Sequence, residues 1–377
     1  MVEAQFGVYV HIPFCVRRCG YCDFNTYAGL EPLVPRTIAA IAREIETCPC
    51  DAPEARSVYF GGGTPTFVAP EHLVRLLGAV RGRFGVVPGA EISVEANPTA
   101  AEVASLAGLR RAGFNRLSLG IQALDDSSLR RLGRTHTVAE AERAVTRARS
   151  AGFGNVSIDM MFGLPRQSTA LWAQTLQRAV ALGPDHISAY CLTVEPGTPY
   201  EALQRERRIR LPGERAQTVM LNHATAYLES QGYLRYEVSN YAKPGRECAH
   251  NLLYWRNLPY LGFGPGAASY AGGRRWSSVA HPETYTEAVE RGSGVCADSE
   301  ELSADAAAAE TLVLALRMTE GCSLGEYHRR HGRHAEAPLL RARRLIGSGL
   351  LEEVEGRLRT TPRGMLTLTD VSAAILP

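Results

Sequence analysis

Three cysteines fall within residues 15 to 22, in the stretch HIPFCVRRCGYCDF, with the spacing CxxxCxxC: Cys15, Cys19 and Cys22. Thiols this close in sequence could form a disulfide, bind zinc or hold a redox cluster. Structural zinc usually takes four ligands, commonly as CxxC pairs separated by a longer span, so three in one loop leave it a ligand short. A cubane iron–sulfur cluster tolerates three thiolates, because one iron then keeps an open position at which a substrate or cofactor can bind. The chain has nine cysteines in all, an odd number, with Cys48 and Cys50 close together and Cys191, Cys248, Cys296 and Cys322 standing singly. In a reducing compartment this set does not read as a disulfide framework. The single cysteines read as small buried hydrophobes, and Cys48 and Cys50 receive no function.

Other polar residues recur at comparable places. GGGTP (61–65) ends an apolar run, and three glycines there would let a ligand approach the backbone closely. Glu95, Gln122 and Asp159 each sit within or at the end of a further apolar run. Alone, any of these could be a helix cap or a surface group.

The elements that must position them form a regular series. Short apolar runs occur at 6–12, 57–63, 91–97, 116–122, 156–165 and 186–196. Between them lie segments in which Leu, Val, Ile and Ala return every three or four residues, several closing on Gly. Six strands alternating with helices predict βαβ units and a parallel sheet. Either a doubly wound open sheet or an incomplete barrel of about six units fits, and in both, ligands sit at the carboxyl ends of the strands. That is where the cysteine loop, GGGTP, Glu95, Gln122 and Asp159 fall.

The pattern changes after about residue 200. We read 1–203 as the β/α domain, 204–299 as a connecting region rich in Gly and aromatics, and 300–377 as a C-terminal α+β region whose helices and hairpin suggest a winged-helix-like module. With 41 Lys and Arg against 39 Asp and Glu, nothing in the bulk charge points to nucleic acid. The first 14 residues lack the pattern of a signal peptide and no segment is apolar enough to span a membrane, so a cytoplasmic protein is expected.

CxxxCxxC after a first strand, with Tyr21 just before the third cysteine, resembles the radical S-adenosylmethionine superfamily. The resemblance implies a partial (β/α)6 TIM-like barrel, a [4Fe–4S] cluster on Cys15, Cys19 and Cys22, and S-adenosylmethionine on the open iron. It also implies an external reductant for the cluster. It makes Gly62, Gly63 and Thr64 the residues facing the amino group of that cofactor. The sequences YVHIPFC, YFGGGTPT, EISVEANP, GFNRLSLGIQ, RLGRTHT, IDMMFGLP and ALRMTEG then resemble, in order, the family of oxygen-independent coproporphyrinogen oxidases and HemW-type heme chaperones. By position, Tyr9, Glu95, Gln122, Arg134 and Asp159 would contact the cofactor. Glu95 suits ribose hydroxyls, Arg134 a carboxylate, and Asp159 and Gln122 hydroxyl or adenine edges.

Two features divide the branches. The oxidase pattern continues to a fourth cysteine where this chain has Phe24, and HNLLYW (250–255) is similar to the HNxxYW motif associated with heme in the chaperone branch. The resemblance therefore implies heme as cargo and an acceptor protein to receive it, rather than coproporphyrinogen dehydrogenase activity; oxidative decarboxylation of coproporphyrinogen III, or another radical S-adenosylmethionine reaction, stays the alternative, and whether radical chemistry is retained is left open. It makes His250 the expected iron ligand, with Asn251, Tyr254 and Trp255 beside it and Cys248 as a second, weaker candidate.

Overall fold

The computed structural model describes residues 5–99, 102 and 105–377. Of the helical segment expected at 101–113, residues 101, 103 and 104 lie outside the described residues; Leu106–Ala112 is helical.

The six expected strands form as β1 (Gly7–Ile12), β2 (Ala55–Gly62), β3 (Val86–Ala96), β4 (Arg116–Gln122), β5 (Asn155–Phe162) and β6 (His186–Cys191). They pair in parallel in strict sequence order, β1 to β6. A doubly wound sheet would reverse direction at an inner strand, so this order selects the barrel-type architecture. Strand alternation places Val8, Val10 and Ile12 fully in the core, while Tyr9 and His11 on the intervening positions bond to each other, Oη to Nδ1, at 2.9 Å. The helices between strands are held by their apolar faces and by caps. Thr137 forms a capping box with Glu140 before Val138–Ser150, satisfying two otherwise free backbone donors.

The barrel is open, because β1 does not pair with β6. Instead the segment expected as a connecting region extends both ends of the same sheet. At one end β9 (Tyr260–Phe263) lies parallel to β1 and leads into β10 (Ala268–Ala271), β11 (Arg274–Ser278) and β12 (Cys296–Glu301). At the other, β8 (Asn240–Ala242) pairs antiparallel with β6 and carries β7 (Leu234–Arg235) on its edge.

A second core begins after residue 302. Helix Ala304–Ala315, β13 (Cys322–Ser323), helices Leu324–His331 and Glu336–Gly347, and the hairpin β14 (Leu351–Val354) and β15 (Arg357–Thr360) surround Leu312, Leu316, Leu339 and Leu358. Helix, short strand, two helices and a hairpin is the order of a winged helix, as expected. Among the described residues, no helix is long and apolar enough to cross a membrane.

Candidate functional site

A cavity of about 470 Å³ opens at the carboxyl ends of the barrel strands. Cys15, Cys19 and Cys22 line it from the loop after β1, and Gly62, Gly63 and Thr64 from the end of β2. Glu95, Gln122 and Asp159 line it from β3, β4 and β5, and Tyr21, Arg134 and Asn251 also reach it.

The cysteine loop is anchored by backbone bonds, Cys15 N to Tyr27 O at 2.9 Å and Cys22 N to Cys19 O at 3.2 Å. Thr26 donates to Cys15 Sγ at 3.0 Å, and Thr64 Oγ1 lies 3.3 Å from the same sulfur. Burial pushes the Cys15 and Cys22 thiols upward in pKa. Both must lose a proton to ligate, so metal binding here releases protons. Arg134 donates to Cys19 Sγ at 3.5 Å and to Gly120 O at 2.6 Å, and also to Asn97 Oδ1. Asn97 in turn donates to Thr64 Oγ1 at 2.8 Å. One chain of polar contacts thus links the cluster loop, the second strand and the third.

The opposite wall is acidic. Tyr59 donates to Glu95 Oε1 at 2.7 Å, yet burial raises the carboxyl of Glu95 to about 7. Asp159 accepts from Ser188 at 2.8 Å and Ser118 at 3.2 Å, and burial raises its pKa as well. Gln122 sits at φ 69°, beside a register shift at the end of β4. A non-glycine residue held there costs on the order of 1–2 kcal/mol, and the bulge aims its side chain to the cavity.

This donor set fits the cofactors expected from the motif. Three thiols share one wall, and Arg134 Nε is buried without a partner, a spare donor for an anionic group. Two carboxylates stand opposite for hydroxyl or ammonium donors. Among the described residues no three His, Cys, Asp or Glu side chains converge on a single point. A cubane does not ask for that, since each thiolate bonds a different iron.

Two expectations need revision. The glycines of GGGTP are required by the protein itself: a Cβ on Gly62, at φ 111°, would meet the His11 ring at 2.5 Å, and one on Gly63 the Phe14 carbonyl at 2.6 Å. They still line the cavity, but close packing against β1 and its loop accounts for their type. Tyr9 is not among the cavity-lining residues; it packs against both Tyr59 and His250, with ring centroids 6.3 Å from each, while those two rings stack on each other at 5.3 Å.

The larger revision concerns HNxxYW. It forms the helix Ala249–Trp255 at the amino ends of β1 to β3, the floor of the barrel. His250 is 1% exposed. Its Nδ1 lies 2.8 Å from Ser57 Oγ and its Nε2 2.9 Å from Tyr254 Oη, so neither nitrogen is open to an iron. Burial, with Arg116 nearby, holds its pKa down to about 3, and it stays neutral. Trp255 faces the second core, with the Arg317 guanidinium 4.3 Å from its ring centre. Cys248 is fully buried beside Glu91, with Sγ 3.5 Å from Oε1. Only Asn251 reaches the cavity. The expected heme ligand is a packing histidine here, because its ring fills the floor between β1 and β2.

The structure also brings in residues that sequence reasoning passed over. Asn97, Ser118 and Ser188 organise the site, and Arg116, 2% exposed, places a cation within the barrel. Strand alternation marks Ser118 in β4 and Ser188 in β6 as sharing a face with other polar residues, but it does not say what they would meet there.

Comparison with known proteins agrees with this geometry. The Radical SAM superfamily profile matches residues 9–179, and that of the HemN C-terminal domain matches 302–367. The heme chaperone HemW of Mycobacterium tuberculosis is 39% identical over 383 aligned residues, covering 100% of this chain and 96% of its own. This chain belongs to the HemW family. HemW of Bacillus subtilis is 34% identical, with 98% and 99% covered. Membership carries the [4Fe–4S] cluster and S-adenosylmethionine of the radical SAM superfamily with it. Among solved structures, the coproporphyrinogen III oxidase HemN of Escherichia coli superposes with a TM-score of 0.85 over 99% of this chain and 90% of that one, at 24% identity. That likeness concerns the fold, partial barrel and C-terminal module together.

Proposed function

We propose that this chain is a cytoplasmic heme chaperone, which binds heme and hands it to an acceptor protein. The observation that carries the reading is full-length similarity to HemW proteins in a chain with Phe24 where the oxidase branch has a fourth cysteine. Cys15, Cys19 and Cys22 hold the cluster, which an external reductant serves. Arg134 takes the carboxylate of S-adenosylmethionine, with Thr64 and the Gly62–Gly63 backbone on its amino group. Glu95, Gln122 and Asp159 take its hydroxyl and adenine edges. When bound, the pair supplies one-electron cleavage of a sulfonium. Tyr9 and His250 support this wall from below, Tyr254 holds the His250 ring, and Trp255 joins the barrel floor to the C-terminal module.

Anaerobically reconstituted protein mixed with one equivalent of heme is expected to shift the Soret band, and to pass that heme to an apo-acceptor. Given coproporphyrinogen III, reductant and S-adenosylmethionine, it is expected to form no protoporphyrinogen. A spectrum identical to free heme, or turnover at oxidase-like rates, would move the assignment to the enzyme branch.

A further inference from the structure

The proposed function needs a place for a large flat apolar cargo, and the motif helix does not offer one. The cavity, at about 470 Å³, lies at the small end of the range for ligand sites, and the cluster and S-adenosylmethionine already lay claim to it. A macrocycle therefore has to lie across the mouth rather than inside.

The mouth has an unusual surface. Phe24 is 65% exposed, the highest value for any large apolar side chain among the described residues. Val16 on the same loop is 57% exposed, and Tyr190, which lines the cavity from β6, is 41% exposed. Leaving a phenylalanine in water forfeits roughly 1.5–3 kcal/mol of burial. Phe24 is nonetheless held in place: Arg18 donates to Cys22 O at 3.2 Å and to Phe24 O at 3.4 Å, pinning its backbone. Arg17, next along, is exposed, lines the same cavity and makes no hydrogen bond or ion pair among the described residues. Asp23 and Glu195 also line the cavity, so the rim is not uniformly basic. Its uncommitted cation, however, stands on the loop that presents the aromatic ring.

We propose that the cysteine loop is the heme-docking face, with the porphyrin plane against Phe24, Val16 and Tyr190 and its propionates on Arg17 and the free edge of Arg18. An apolar ring beside paired cations complements a flat apolar ligand carrying two carboxylates. Heme then caps the mouth over the cluster, far from the buried His250. This inference rests on the heme-chaperone reading.

The test is heme titration of anaerobically reconstituted full-length protein, with iron content and S-adenosylmethionine binding measured alongside. Phe24→Ala and Arg17→Ala are each expected to weaken heme affinity about tenfold while cluster iron stays at the wild-type level. Leu340→Ala removes an apolar side chain 60% exposed on the C-terminal module and is expected to change nothing. Wild-type heme affinity in both loop variants overturns the docking site and leaves the chaperone reading standing. Equal losses in the Leu340 variant show non-specific adsorption and also overturn it. Failure of the wild-type protein to bind heme overturns the chaperone reading, and the site with it.

Discussion

The cysteine loop and the HNxxYW helix are both recognisable as motifs, yet the fold treats them in opposite ways. The loop stands at the carboxyl ends of the strands, with Phe24 in solvent and its thiols on a cavity wall. The helix lies at the amino ends, with His250 sealed between Ser57 and Tyr254. In a β/α barrel, residues at the carboxyl ends are free for chemistry, whereas those at the amino ends mostly hold the barrel together. A motif's residue types name a chemistry it could perform, and its end of the barrel decides whether it can.

Three experiments press on this contrast. The largest effect is expected at the mouth: Cys19→Ser should remove most of the bound iron and the cluster's visible absorbance, with little change in folding, because the side chain stands on the cavity wall with a long hydrogen bond from Arg134 rather than in the core. Retention of iron and sulfide at wild-type levels would break the comparison at its functional end. At the floor, His250→Ala should leave iron loading intact but lower stability by about 2–4 kcal/mol, since Ser57 and Tyr254 lose their buried partner and a cavity opens. Chemical denaturation measures this, and a stability loss below about 0.5 kcal/mol would mean that the floor is not closed as described. The smallest effect is a pH dependence. With the Glu95 carboxyl near 7, its charged form gains about tenfold between pH 6 and 8. S-adenosylmethionine binding should strengthen by a similar factor over that range, and Glu95→Gln should flatten the profile. The sign for folding is opposite: an acid whose folded pKa is raised loses stability as pH rises from its unfolded value, near 4.5, to about 7.

Much of the barrel was legible because its strands and helices repeat their apolar periods in order. The added strands were not. β7 has two residues, β8 three, and β12 reads CADSEE with every residue exposed, so none carries an apolar alternation. They exist because neighbouring strand edges offer unpaired backbone groups, a demand that no local pattern records. Asn97, Ser118 and Ser188 were hidden for a related reason: each is an ordinary polar residue until its strand's register puts it beside Arg134 or Asp159.

By itself the sequence determined the thiol set, the six-unit alternation, the winged-helix order and the Phe24 departure, since all of these are spacings along one chain. The tertiary structure alone decided that the strands run in barrel order, that the glycines of GGGTP answer to His11 and Phe14, and that His250 is closed off. Those depend on partners brought together from residues far apart in the chain: Ser57 and His250 stand 193 positions apart and 2.8 Å from each other.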